Sequence, residues 1–347
     1  MKIAIITDQH FGVKKGSKIY HDYFQKFYDE VFFPTLEDEG ISTVIDLGDT
    51  FDNRKVIDLW SLDWAKKNYY NILEKKKIHV WTVVGNHTAY YKNTNNFNTI
   101  DVVLNKYDNI TKIRDPIEVV FDDLQVLFIP WINEENQELT MKLINSSKAK
   151  VAMGHLQLTG FSMYKGMVQM EDGLDPEIFT KFKRVFSGHY HTRSNNGKIF
   201  YLGNPYQMYW NDCDDSRGFH IFDTETLKLK TIDNPFQLFQ KIHYSDTNHQ
   251  IYNFTKCKEK YVKLIVEKKT SQVKYDKFID RLLTSDCHEV KIVENFTVND
   301  VDDVDLTQIE DTVSILNKYV EDSEISLNKK IIMQHIESIY KEACEVD

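Results

Sequence analysis

MKIAIITDQH (residues 1–10), VIDLGDTFD (44–52), WTVVGNH (81–87), VAMGH (151–155) and VFSGHYH (185–191) share one layout, and reading them together decides the fold. Each contains a short apolar run of the kind that makes a buried strand: Ile3 to Ile6, Val44 to Leu47, Trp81 to Val84, Val151 to Met153, and Val185 with Phe186. Each then turns to Asp, Asn or His, so five strands deliver polar side chains at their C-terminal ends. In open α/β sheets that edge is where ligands bind, and separate strand ends can converge on one point there. Glycine stands before the polar residue in four of the five runs, at Gly48, Gly85, Gly154 and Gly188. A missing Cβ lets the backbone turn sharply and pass close to an ion or a phosphate.

Histidine nitrogen, carboxylate oxygen and an amide oxygen form a mixed donor set. It suits manganese, iron, zinc or magnesium and excludes a purely thiolate site. A two-metal hydrolytic centre needs one carboxylate between ions roughly 3.5–4 Å apart, and Asp49, directly behind a strand-end glycine, takes that place. Asp8, His10 and His191 are then the candidate ligands of one ion, and Asn86, His155 and His189 of the other, with water completing both shells. A hydroxide held between the ions would attack phosphorus in line. His87, beside Asn86, stands ready to protonate the leaving oxygen or to hold the phosphoryl oxygens in the transition state. Each run alone has a plainer explanation: Asp-x-His after a strand is commonly a cap with a surface histidine, and Gly-Asn-His an ordinary tight turn. Their joint order behind five apolar runs carries the metal reading. His21, His79, His220, His243, His249, His288 and His335 are assigned structural or surface places.

This order of motifs resembles the calcineurin-like metallophosphoesterase superfamily, and within it the SbcD-type DNA-repair nuclease subunits and the recombination endonuclease small subunits of T-even-like phages. Gly48-Asp49-Thr50-Phe51-Asp52 fits the nuclease branch, where protein phosphatases carry G-D-x-V-D-R-G. Ile129-Pro130-Trp131 and the run Gly160, Phe161, Tyr164, Lys165, Gly166 add to it. The likeness covers about the first 245 residues well and the remainder by layout. It implies an α/β (α+β) fold, a two-sheet β-sandwich flanked by helices with two metals at one edge, followed by a small α+β capping domain and C-terminal helices. One departure stands out: Thr88 occupies the place where the family carries Asp or Glu after Gly-Asn-His. A carboxylate beside an imidazolium stabilises its charged form, so its loss should weaken His87 as an acid. Asp101, Asp175 or Asp52 could replace it in space.

At 347 residues the chain predicts about two domains, and 41% hydrophobic with 13% aromatic residues allows a substantial core. Cys213, Cys257, Cys287 and Cys344 lie far apart with no C-x-x-C pair, which fits free thiols in a reducing interior. The opening apolar run is too short for a signal peptide and no stretch of eighteen apolar residues occurs, so a soluble protein of the cytoplasm, the host's if phage-encoded, is expected. A net charge of −10 argues against a generic nucleic-acid binder. Part of that acid belongs to the metal ligands, and seven acids with no Lys or Arg fall between Glu294 and Asp311. Basic runs remain at Lys14 and Lys15, Lys75 to Lys77, and Lys181 to Arg184, each compatible with plain solvated surface. Tyr90, Tyr91 and Lys92, directly behind His87, could stack on a base and meet a phosphate, or pack into the core.

Apolar spacing predicts helices over Ile19 to Leu36, with Pro34 in the last turn or at a kink, Val56 to Lys76, and Asn98 to Tyr107. The resemblance implies that the last two build a homodimer able to bridge two DNA ends. Ile117 to Phe121 and Val126 to Ile129 read as a hairpin, and Ile199 to Leu202, Phe219 to Phe222 and Leu227 to Ile232 as extensions of the second sheet. The expected domains are a nuclease domain over 1–244, a DNA-capping domain over 245–293 built as strand, helix, strand, an acidic linker over 294–308, and a helix pair over 309–347. In the resembling nucleases such a pair grips the coiled-coil base of an SMC-like ATPase. The expected function is a Mn²⁺-dependent DNA exonuclease and endonuclease subunit acting at double-strand ends in recombination, repair and replication, with two divalent ions. A small-molecule phosphodiesterase or phosphatase, and a non-catalytic DNA-end scaffold, are the alternatives.

Overall fold

The computed structural model describes residues 1–245 and 251–294, together with Val320, Lys329, Ile332 and Met333, which are helical. Residues 1–293 form one compact unit and 294–347 another. The expected acidic linker beyond Glu294, the rest of the C-terminal helix pair, His249, His335 and Cys344 lie outside the described residues. No described helix is long and apolar enough to cross a membrane.

The strands, in chain order, are β1 Lys2–Ile6, β2 Thr43–Asp46, β3 His79–Val83, β4 Ala89–Tyr91, β5 Thr94–Asn98, β6 Ile110–Ile113, β7 Ile117–Phe121, β8 Leu124–Ile129, β9 Val151–His155, β10 Arg184–Gly188, β11 Ser194–Asn195, β12 Ile199–Tyr201, β13 Gly218–Asp223, β14 Leu229–Asp233, β15 Phe239–Ser245, β16 Tyr261–Lys268 and β17 Glu289–Glu294. Two six-stranded sheets face each other, in the orders β14-β13-β1-β2-β3-β6 and β11-β12-β10-β9-β8-β7. Alternation along β1 explains the layering. Ile3 and Ile5 point between the sheets, where they meet Ile45, Val83, Val126, Phe128, Met153 and Phe186. Ala4 and Ile6 point the other way, onto Phe24, Phe27 and Leu73 of the covering helices. Both faces are dry, which is why these strands read as continuous apolar runs and not as alternating ones. A second helical layer covers the outer face of the other sheet, with Ile144, Phe179 and Phe182 packed on Leu127, Ala152 and Val185.

β1, β2, β3 and β6 run parallel, as do β8, β9, β10 and β12. Their C-terminal ends therefore lie along one edge of each sheet. The expected placement of Phe219 to Phe222 and Leu227 to Ile232 in the second sheet is corrected by the register: β13 pairs antiparallel with β1, Ala4 opposite Ile221, and β14 follows β13. Periodicity specifies that a strand forms, whereas the edge it closes depends on a partner more than two hundred residues away. The hairpin of β7 and β8 turns at Asp122, which takes a positive φ of 52°.

Pro34 does not end its helix. Lys18–Phe27 continues through a π-helical turn, Tyr28–Phe32, into Phe33–Asp38. Proline lacks an N–H and its ring crowds the carbonyl four residues back, and a π turn just before it relieves both. The second helix begins later than expected, at Leu59, where the Asp58 side chain accepts from the Ser61 N–H, and it carries its own π turn at Lys66–Tyr70 before Asn71–Lys75. The third is short, Thr99–Val103, capped by Asn98.

β15, β16 and β17 form a separate three-stranded sheet on which the helix Gln272–Leu283 packs. Ile242, Tyr244, Val262, Leu264, Phe278 and Leu282 make its own core. β15 pairs parallel with β16 from Phe239 onward, so the boundary expected near Tyr244 falls inside this sheet and not before it.

Candidate metal centre

The five motifs come together where the carboxyl ends of β1, β2 and β3 meet those of β9 and β10. Two glycines make the approach possible. A Cβ on Gly85 would overlap the Asp49 Oδ1 atom, and a Cβ on Gly188 would overlap Thr7 Oγ1 and crowd Asp8 Oδ2. Asp8, His10, Asp49 and His189 all adopt positive φ, between 46° and 85°. Non-glycine residues in that region cost roughly 1–3 kcal/mol each and gather at functional sites. The folded core holds these side chains in a conformation they would not choose alone.

One group is Asp49, Asn86, His155 and His189. Asn86 Oδ1 lies 2.9 Å from His155 Nε2 and 2.9 Å from His189 Nδ1, and Asp49 Oδ2 lies 3.0 Å from His155 Nε2. His155 Nδ1 sits 2.8 Å from the Leu47 carbonyl, which only accepts, so that nitrogen carries its proton and donates. In a neutral His155 the lone pair of Nε2 then faces two oxygens that also only accept. Such an arrangement is repulsive until a cation enters it. Around an octahedral ion with ligands at about 2.1 Å, neighbouring donors are about 3.0 Å apart, the spacing found here. A proton answers the same demand: burial lowers His155, but the charge and hydrogen bond of Asp49 outweigh it and raise it to about 9. Burial likewise opposes ionisation of Asp49, yet His155 and His87 hold its carboxyl well below the usual range.

The second group is Asp8, His10 and His191, whose ligand atoms lie within 4.8 Å of one another. Asp8 accepts from Thr7 Oγ1 at 2.8 Å and from the His189 N–H at 3.1 Å. His10 Nε2 and His191 Nδ1 are buried without a hydrogen-bond partner. A buried polar atom left in this way costs about 1–3 kcal/mol, and a metal removes the cost. Burial, with positive neighbours including Arg217, pushes His191 well below its ordinary value, so it stays neutral and ligand-ready. His10 Nδ1 contacts the Asp52 carboxylate at 3.1 Å, which fixes its ring as a carboxylate behind a ligating histidine does. The residues present therefore fit divalent ions at both groups; the Asp49 carboxylate contacts His155 in one group, and its charge acts on Asp8 and His10 in the other.

His87 is positioned through its neighbours. Its N–H donates to Asp49 Oδ1 at 2.8 Å, and its Nδ1 lies 2.6 Å from the Asp52 carbonyl. Of the three acids that could replace the missing one, Asp101 lies in the first turn of its helix and accepts from the side chain of the capping Asn98, and Asp175 caps the turn Pro176–Phe179, accepting from the Glu177 N–H. Asp52 reaches His87 through its backbone oxygen while its carboxylate serves His10. Thr88 is fully buried and closes the turn on itself, accepting from the Gly85 N–H at 2.9 Å and donating to the Gly85 carbonyl at 3.1 Å. The backbone carbonyl gives His87 an orienting partner with only a partial charge in place of a full one.

Several functional neighbours escaped the sequence reading. Asp46, in the middle of an apolar run, is buried and pushed up to about 7 by burial; it accepts from Thr50, Gln9 and the Gly48 N–H and so shapes the loop that carries Asp49. Gln9 is held in turn by the hydroxyls of Tyr28 and Tyr206. Trp131 packs its ring 5.1 Å from His189 and 6.1 Å from His155, which gives the Ile129-Pro130-Trp131 run a place in the site. Tyr164 meets the ring of His191 at 5.7 Å. A polar residue inside a strand and aromatics from distant loops leave no local signal beyond their own motifs.

Tyr90, Tyr91 and Lys92 lie on the hairpin of β4 and β5. Tyr90 is half-buried against Tyr91 and Phe97, while Tyr91 and Phe97 are exposed, so neither outer ring belongs to the core. Of the remaining histidines, His21 is buried between Trp60 and Trp64, His220 is buried in β13, and His79 bonds to Thr111. His243 pairs with Glu267, and exposed His288 packs beside Tyr261. Cys213, Cys257 and Cys287 are free thiols.

The pattern of the calcineurin-like phosphoesterase family matches residues 1–193. Among curated proteins, the chain is 29% identical over 352 residues to Exonuclease subunit 1 of Enterobacteria phage T4, covering 99% of this chain and 100% of that protein. It is 24% identical over 261 residues to a component of the SbcCD nuclease of Staphylococcus epidermidis, covering 66% of this chain and 67% of the other. A solved archaeal phosphodiesterase aligns with 14% identity and a TM-score of 0.33 over 67% of this chain and all of its own, too low a score to carry an argument.

Proposed function

The chain belongs to the calcineurin-like phosphoesterase family, and we propose that it is the nuclease subunit of an ATPase–nuclease complex, hydrolysing phosphodiesters at DNA double-strand ends with two Mn²⁺ ions. What carries the nuclease reading is the reach of the likeness to a phage exonuclease subunit: 99% of the chain, well past the 193 residues of the phosphoesterase pattern. A small-molecule phosphatase would have no use for so long a shared extension.

Asp8, His10 and His191 would hold one ion and Asn86, His155 and His189 the other, with Asp49 serving both. When bound, the ions acidify the attacking water and share the charge that builds on the phosphoryl oxygens. The chain's own residues do the rest. Asp52 keeps His10 and His87 in orientation through two different oxygens. His87, tied by its main chain to Asp49 and by Nδ1 to Asp52, presents Nε2 to the leaving oxygen, where it donates a proton or a hydrogen bond. Trp131 excludes water behind His155 and His189. Tyr91 and Lys92 on the projecting hairpin meet the DNA beside the scissile phosphate.

A homodimer through the helices Leu59–Ala65 and Thr99–Val103 is supported by the apolar side chains exposed on or beside them, Val56, Leu59, Trp60 and Val102. The residues beyond 308 supply the contact with an SMC-like ATPase, a reading supported by the SbcCD relative, which is itself named as one component of a larger nuclease.

The test is cleavage of end-labelled duplex DNA by the purified chain, with and without Mn²⁺, beside Asp49→Ala and His87→Ala. Cleavage that needs the metal, disappears with Asp49→Ala and falls about 10²- to 10⁴-fold with His87→Ala supports the reading. A folded protein that leaves all DNA intact, even with its cognate ATPase added, refutes it.

A further inference from the structure

His191 is held differently from His155 and His10. Hydrogen bonds fix His155 through Leu47 and His10 through Asp52. The buried Nδ1 of His191 is the nitrogen left for the ion, and the support of this residue comes from its ring neighbours and its main chain. Its ring is flanked by His10, Tyr164 and Tyr209, and its main-chain carbonyl accepts from Arg217. Arg217 is almost wholly buried, its side chain 2% exposed, and does more than cap one carbonyl. One end of the guanidinium also donates to Asn204 Oδ1; the other lies 2.9 Å from Asp212 and 2.9 Å from Asp215. Each of those partners reaches back to the same segment. The Asn204 N–H donates to the His191 carbonyl at 3.2 Å, Thr192 Oγ1 donates to Asp215 at 2.7 Å, and Asp212 accepts from the Tyr209 N–H at 3.0 Å, beside the ring that stacks on His191.

Sheet topology explains how a residue so late in the chain reaches this point. Because β13 runs antiparallel to β1, its first residues lie beside the last residues of β1, where Asp8 and His10 follow. Arg217 immediately precedes β13. The strand that pairs with β1 therefore also delivers the clamp for the second His of the Gly-His-Tyr-His run.

Building on the two-metal reading above, we propose that Arg217 is a positioning residue for one ion only: it sets the main chain at His191 and so completes the Asp8, His10 and His191 site, while the Asn86, His155 and His189 site stands without it. Arginine is required because a planar fork serves the carbonyl, the amide oxygen and two carboxylates at once; a lysine ammonium keeps the charge but loses the fork.

Mn²⁺ titration of the full-length, metal-free protein, with free Mn²⁺ followed by its six-line EPR signal, reads each site separately. Wild type should bind two ions per chain. Arg217→Lys should bind one as wild type does and the other about 10- to 100-fold more weakly, the usual effect of removing an outer support of a metal ligand. If Arg217→Lys does not fold, the double variant Arg217→Gln with Asp215→Asn removes the guanidinium together with one of its carboxylates and should give the same split. Equal weakening of both ions would mark Arg217 as a general structural residue and overturn the proposal, as would undisturbed binding of both. A wild-type protein that holds no ion would instead remove the two-metal reading on which the proposal rests.

Discussion

The two halves of the candidate centre are assembled differently. Asn86, His155 and His189 converge on a shared point, with Asp49, at distances of 2.9 to 3.0 Å, and their contacts already draw an ion's coordination shell. They come from β3, β9 and β10, strand ends in two facing sheets. Asp8, His10 and His191 instead leave His10 Nε2 and His191 Nδ1 without partners and depend on residues outside the ligand set, Asp52 and Arg217. The difference teaches that a symmetric set of ligands hides an asymmetric scaffold. One half is set by the sandwich itself, the other by loops that the sandwich only anchors.

The sharpest way to break this contrast is to remove Asp49, the residue proposed to serve both halves. Asp49→Ala should reduce turnover by roughly 10⁴-fold or more, since the ions supply several kcal/mol of transition-state stabilisation, and should weaken both ions in a Mn²⁺ titration. Weakening of a single ion would show that Asp49 does not bridge. Asp52→Asn should instead sharpen the contrast. Its loss relaxes His10, and about 10- to 100-fold in affinity should vanish from one ion while the other binds unchanged.

Protonation touches both halves: burial lowers His10, but the hydrogen bond and charge of Asp52 raise it above its ordinary value, and His155 is raised as well. With His155 raised from 6.5 to about 9 in the metal-free fold, its attraction to Asp49 stabilises the protein fully below pH 6.5 and is lost as pH rises through 9. Metal binding requires the neutral imidazole, so uptake near pH 7 should release about one proton, readable by calorimetry in buffers of different ionisation enthalpy. The melting temperature of chelator-treated protein should fall between pH 6.5 and 9, with a smaller change in metal-saturated protein. Metal uptake without proton release would contradict the pairing. The smallest effect is expected at Thr88: Thr88→Ala strips the Gly85 turn of its buried hydroxyl and should lower stability by about 1–2 kcal/mol in urea unfolding, with little change in turnover.

The ligands of both halves were legible, for a physical reason. Strand ends, glycines and ligands lie within a few residues of one another, so the runs at Gly85, Gly154 and Gly188 carry fold and chemistry in the same local signal. Arg217 acts across the sandwich, through a pairing of β13 with β1 that no short window contains, and Trp131 reaches His155 and His189 from beyond a neighbouring strand. The same limit misassigned β13 and β14 to the second sheet. Pro34 belongs to another kind of failure: a rule about helix interiors met a π turn that relieved the clash, and the chain stayed helical to Asp38. Thr88 is the reverse case, where the departure was plain in the sequence but its meaning needed the turn it closes.

The central claim is that Asp49 joins two ions in one centre, and low-temperature EPR of the Mn²⁺-loaded protein addresses it most directly. An exchange-coupled dimanganese signal at two ions per chain, replaced in Asp49→Ala by a mononuclear spectrum, is the predicted result. Two uncoupled mononuclear signals in the wild-type protein would contradict it.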